Sequence, residues 1–190
     1  MLSAEYKVFV KSLIKAASEA FFGGGTATAF GGMAIGSKVN IEEGGGIDGM
    51  QHVDYEKMKC YVQITDTVKM IGQVQPLLAK FAIAHEFGHI VAGPIGGEIG
   101  TAEARLDSKK HEVAADLIGT CLLLRTGVTP IMITTMLQSY GDYVMDEVEK
   151  GTHPSRKDRM AYIISLFPKI RSGGGSTELD AIKNILKNVP

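Results

Sequence analysis

The chain has 190 residues, 20 of them basic against 21 acidic, and 45% are apolar, which describes one globular domain and excludes two domains with full cores. A net charge of -1 gives no whole-chain attraction to phosphate backbones or anionic lipid, and no basic patch stands out, so no nucleic-acid partner is expected. No apolar stretch approaches the roughly 18 residues that span a bilayer, so no membrane span is expected either.

Ser3 caps a helix expected over residues 4 to 21, where Tyr6, Val10, Leu13, Ile14 and Ala17 recur at helical spacing. The same start mixes charges into its apolar pattern and predicts no secretory signal. Ten of the 23 glycines then lie between Gly23 and Gly49. Such a segment reads as loop or short strands joined by turns. It matches neither the GxxxxGK[ST] nor the GxGxxG phosphate-binding pattern, which removes nucleotide binding. His52 is read as a surface residue in a loop.

Met58 to Val68 carries Tyr61, Val62, Ile64 and Thr65 in a β-rich run and predicts a strand. Val74 to Val91 returns to helical spacing and is expected to end before Gly93-Pro94, with a loop from Gly93 to about Asp107. Further helices are expected at 108 to 126, at 130 to 149 opening with Thr129-Pro130, and at 156 to 167 opening with Ser155 and Asp158 as a capping box. Gly173 to Gly175 reads as a linker, and Glu178 to Val189 as a last amphipathic helix. The expected fold class is therefore α+β, one domain over residues 1 to 190, mostly helical with a small β-sheet of three strands between residues 26 and 70. Cys60 and Cys121 make neither a disulfide framework nor a Cys-x-x-Cys clip, so a reducing compartment, the cytoplasm, is expected.

The chemistry is concentrated in His85-Glu86-Phe87-Gly88-His89, an HExxH sequence inside the expected central helix. Four residues of α-helix turn about 400°, so His85 and His89 project from one face and can both bind one tetrahedral zinc. Glu86 then stands beside the metal, where it can take a proton from a metal-bound water. Gly88 gives room for a closely packed neighbour, at a helix-propensity cost of roughly 1 kcal/mol.

A third ligand is supplied by the next helix. Glu112 and Asp116 share a face there at i and i+4, on a segment that continues LIGTCLLL. Two buried carboxylates without a partner cost several kcal/mol, and a metal ion removes that cost. Glu112 is assigned as third ligand and Asp116 as acceptor for the free N–H of a zinc-bound imidazole. His111 is the competing ligand, placed about 100° round the helix from Glu112 and so the less favoured one.

HEFGH, then ExxAD from Glu112 to Asp116, then RTGVTP before a helix, then His153-Pro154-Ser155 with Arg159 six residues after the histidine, together resemble the M48-type zinc metallopeptidases, which are gluzincins. The resemblance covers about residues 74 to 166, half of the chain, and implies a zincin-like domain with one zinc ion and a peptide or protein substrate. It implies His85, His89 and Glu112 as metal ligands, Glu86 as catalytic base, Asp116 as an orienting group, and His153 and Arg159 near the site, supporting the catalytic helices or the substrate's developing oxyanion. On that reading 58 to 172 is the catalytic core, 1 to 57 an N-terminal helix and Gly-rich segment, and 173 to 190 a linker and helix. A strand near Tyr61 to Asp66 would hold substrate as an added edge strand. The ImmA/IrrE-type peptidases also pair HExxH with a downstream glutamate helix, and a regulatory peptidase of that kind, or a zinc-stabilised binding module without turnover, are the alternative functions. Tyr140, Tyr143 and Tyr162 recur with Leu137, Met145 and Ile163 and are read as core.

Overall fold

The computed structural model describes residues 4–21, 39–44, 50–54, 59–99, 108–145, 153–171 and 178–189. Helix α1 spans Ala4–Phe21. Strands β1 (Val39–Gly44), β2 (Met50–Asp54) and β3 (Lys59–Thr65) follow as backbone elements in the order β1-β3-β2, with β3 parallel to β1 and antiparallel to β2. The helices that follow are α2 (Asp66–Val74), α3 (Pro76–Ile99), α4 (Ser108–Arg125), α5 (Pro130–Tyr140), α6 (Arg156–Arg171) and α7 (Glu178–Leu186), with a 3-10 turn at Gly141–Tyr143.

The α+β fold class is corrected. Among residues whose side-chain surroundings are described, 88% are helical and none lies in a strand. Fold class follows from what fills the core. Here the buried cluster is drawn from helices and the turns that join them, from Phe9, Val10 and Leu13 of α1 to Ile182 and Ile185 of α7. The described body is all-α, and the expected sheet contributes no described side chain to it. Two narrower readings change with it. Asp66, Thr67 and Val68 open α2 instead of closing a strand, and β3 is paired on both sides, so it is not an edge strand open to substrate.

Helices α3 and α4 form the central pair, with α1 against both, α5 against α3, and α6 and α7 against α4. The sequence of α4 explains its place. Val113, Ala114, Ala115, Leu117, Ile118, Cys121, Leu122 and Leu123 are all buried, a distribution too wide for a single stripe, so this helix is enclosed by its neighbours. Cys121 is a free thiol in that core, and burial, reinforced by the Glu178 charge, pushes its pKa up.

Glycine permits the crossing of α3 and α4. A methyl group at Gly88 would run into the Ala115 carbonyl oxygen and lie 2.9 Å from the Ala115 Cα, while one at Gly119 would lie 2.8 Å from the Ala84 carbonyl oxygen. Each helix thus lends its glycine to the other's backbone. The Gly88→Ala variant is expected to lose roughly 1–3 kcal/mol in urea unfolding, because the added carbon meets backbone that cannot rotate away. A stability equal to the wild type would show that the two helices are not held at this separation.

Capping residues set several ends. The α4 chain closes with Gly127 at φ 92°, where Val128 N donates to the Leu123 carbonyl at 3.2 Å and Gly127 N to that of Leu124 at 3.1 Å. This is the Schellman arrangement that favours glycine. Thr129 then caps α5, with Pro130 in its first turn. Of the expected capping box at the start of α6, the structure shows Asp158 N donating to Ser155 Oγ at 3.2 Å, while the Asp158 carboxylate accepts from Ser155 Oγ through Oδ2 at 2.6 Å. Arg125 at the end of α4 donates twice to Glu178 in the first turn of α7, at 2.9 and 2.7 Å. That bidentate pair fixes the C-terminal helix to the centre.

Helix ends depart from expectation in two places. Helix α3 continues through Gly93-Pro94 to Ile99, since breakers lower helix propensity without abolishing it. Helix α5 stops at Tyr140, so the helical spacing that placed Tyr140 and Tyr143 inside is lost there, and the two rings are 37% and 69% exposed. Tyr162 is partly buried against the core. His52 lies in β2 and not in a loop. The readings for residues 1–3, 22–38, 45–49, 55–58, 100–107, 146–152 and 172–177, which include the Ser3 cap, most of the Gly-rich segment and the Gly173 to Gly175 linker, fall outside the described residues. No helix among the described residues is long and apolar enough to cross a membrane.

Candidate metal centre

His85 and His89 stand one turn apart on α3, and the same helical rotation turns Phe87 away from their face, where it is fully buried. Across the glycine crossing, Glu112 and Asp116 stand one turn apart on α4. Two imidazole nitrogens and both oxygens of one carboxylate converge there. His85 Nε2 and His89 Nε2 are 3.1 Å apart, His85 Nε2 is 3.3 Å from Glu112 Oε2, and His89 Nε2 is 3.2 Å from Glu112 Oε1.

The triangle of side chains they form, whose two edges to Glu112 end on different carboxylate oxygens, has donor separations of the size found around one tetrahedral ion. Bonds of about 2.0–2.1 Å to a tetrahedral ion separate neighbouring donor atoms by about 3.3 Å. Among the described residues, His85, His89 and Glu112 are the group able to hold a metal ion. Glu112 Oε2 is buried there, with His85 Nε2 at 3.3 Å and Arg159 Nη2 at 3.8 Å. A buried carboxylate oxygen in that position calls for a cation.

Behind the triangle lies a second layer of polar contacts. Asp116, with 0% exposure, takes His85 Nδ1 at 2.9 Å through Oδ1. It also accepts two hydrogen bonds from Arg159 of α6, Nε to Oδ2 at 2.7 Å and Nη2 to Oδ1 at 2.8 Å. Arg159 is itself only 3% exposed and its Nη2 is 3.8 Å from Glu112 Oε2. His153 lies on the solvent side at 44% exposure, with Nε2 3.5 Å from Glu112 Oε1. Glu86 follows His85 on the same helix and is partly exposed.

The electrostatics follow from this packing. Burial opposes the charge on Glu112, but the hydrogen bonds from His85 and His89 outweigh it and hold that carboxyl below the usual range. Burial likewise opposes the charge on Asp116, and the Arg159 guanidinium prevails. For His85, burial pulls downward while Asp116 and Glu112 pull harder upward, to about 10. His89 is pushed down, first by burial and then by the charge on His85 despite the Glu112 hydrogen bond. Two ionised carboxylates thus create a place for positive charge at the Nε2 triangle.

Comparison with protein-family models, with curated proteins and with solved structures found no match.

The structure brings His85, His89, Glu112, Asp116, His153 and Arg159 together, Glu86 follows His85 on the same helix, and one further neighbour joins them. His111, considered only as a rival ligand, has its ring against His89, with Nδ1 to Nδ1 at 3.2 Å. Its place beside Glu112 on α4 was the available signal.

Proposed function

We propose that this chain is a zinc-dependent endopeptidase of the gluzincin type. The observation that carries the reading is the triangle of two Nε2 atoms and the Glu112 carboxylate, with the Nδ1 of His85 tied back to Asp116. Two imidazoles and one carboxylate suit zinc, and three protein ligands are the number used by hydrolytic zinc sites, whereas structural sites usually take four.

When bound, zinc supplies a Lewis acid that polarises a carbonyl and lowers the pKa of a water towards about 7. With zinc bound, His85 and His89 would present Nε2 without its proton, and the proton on Nδ1 of His85 would be donated to Asp116. Glu86, adjacent to the ligands but not one of them, takes the proton of the attacking water and delivers it to the leaving amine. His153, on the solvent side of Glu112, is positioned to donate to the oxyanion that develops on the substrate. Arg159 faces Asp116 and not solvent, so it acts by keeping Asp116 ionised and in place. The substrate class is a peptide or protein.

The zinc-loaded chain is expected to cleave denatured casein, to lose that activity to a zinc chelator, and to regain it when zinc is added back. Stoichiometric zinc with no cleavage of casein would replace the enzyme by a zinc-stabilised binding module.

A further inference from the structure

His85 has a visible reason for its orientation in the Asp116 carboxylate. His89 needs an equivalent one, because an imidazole that binds a metal through Nε2 must carry its proton on Nδ1 and give it to an acceptor. The group facing that nitrogen is another imidazole. The rings of His89 and His111 have centroids 4.6 Å apart with planes inclined at 40°, and their Nδ1 atoms are 3.2 Å apart.

Two ring nitrogens at that distance share a single proton, so one donates and the other accepts. The other nitrogen of His89 decides which. Its Nε2 is turned to the triangle, 3.1 Å from His85 Nε2 and 3.2 Å from Glu112 Oε1. A lone pair offered there requires the His89 proton to sit on Nδ1.

We propose that His111 is the positioning residue of His89, its Nδ1 accepting the Nδ1–H of His89 and so fixing the tautomer that presents Nε2 to the metal. His111 then carries its own proton on Nε2. This inference rests on the metal centre proposed above. It makes the two ligand imidazoles unequal, one held by a carboxylate and the other by a neutral ring. It also accounts for a histidine directly before Glu112: the roughly 100° step between consecutive helical residues takes His111 past the metal and onto the flank of His89.

The test is zinc affinity of the full chain, measured by competition with a chromophoric chelator, for the wild type, His111→Phe and His111→Asn. Phenylalanine keeps a ring and removes the acceptor. Asparagine places Oδ1 the same number of bonds from Cα as Nδ1 of histidine, and so keeps an acceptor. The expected result is a loss of about 10–100-fold in affinity for His111→Phe, most of it recovered in His111→Asn. Long-range 15N–1H NMR of the zinc-loaded wild type is expected to find the His89 proton on Nδ1 and the His111 proton on Nε2. Wild-type affinity in His111→Phe, equal losses in both variants, or a His111 proton on Nδ1 would each overturn the proposal. If the phenylalanine variant does not fold, the NMR result on the wild type decides alone. A wild type that binds no zinc would instead overturn the metal centre, and the positioning role with it.

Discussion

Glu86→Gln is expected to keep its zinc and its helical content while casein cleavage falls by about 100-fold to 10,000-fold, the range that a general base contributes. The expectation follows from where Glu86 stands. It is the residue after His85 on α3 and lies outside the group that can hold the metal, so the amide leaves the three donor atoms as they are. Glutamine keeps the shape of the side chain and loses only the capacity to take a proton. Glu112→Gln should behave in the opposite way, losing zinc first and activity as a consequence. Measured kcat/KM beside metal content separates the two, and unchanged turnover in Glu86→Gln would end the mechanism.

Asp116→Ala is expected to destabilise the fold by about 3–5 kcal/mol in urea unfolding, the cost of leaving a buried charge without its partner. Asp116 accepts both hydrogen bonds of the Arg159 fork and is fully buried with it. Removing the carboxylate takes both of these hydrogen bonds from a buried guanidinium that cannot lose its proton. The same variant releases Nδ1 of His85 and is expected to weaken zinc binding by about 10–100-fold. Adding Arg159→Leu should recover much of the stability and none of the zinc affinity. A single variant as stable as the wild type would show that the pair is not buried as described.

Much of this centre is readable from residue spacing, because the steps it needs lie within single helices. His85 with His89, and Glu112 with Asp116, are i and i+4 pairs, and helical rotation alone places each on one face. The Gly88 vacancy in an apolar helix points to a close neighbour, which proves to be the Ala115 backbone. Ser155 with Asp158, and Thr129 with Pro130, announce helix starts through local hydrogen bonding.

Relations between helices are less accessible. The angle of His111 from Glu112 is a property of one helix, whereas its contact with His89 depends on how closely α3 and α4 approach. Arg159 looks like an ordinary helical surface residue until α6 packs on α4 and buries it against Asp116. The α+β expectation came from β-branched and aromatic residues in 58 to 68, a local preference that says nothing about which elements fill the core. Tyr140 and Tyr143 were placed inside by extending a helical period beyond the point where α5 ends.

The central claim is that His85, His89 and Glu112 grip one metal ion. Anomalous diffraction at the zinc edge, on crystals of the chain loaded with zinc, tests it most directly. One peak is predicted, about 2.0–2.2 Å from Nε2 of His85, Nε2 of His89 and a carboxylate oxygen of Glu112. A map with no peak among these three side chains, or with Glu112 turned away to solvent, would contradict the account.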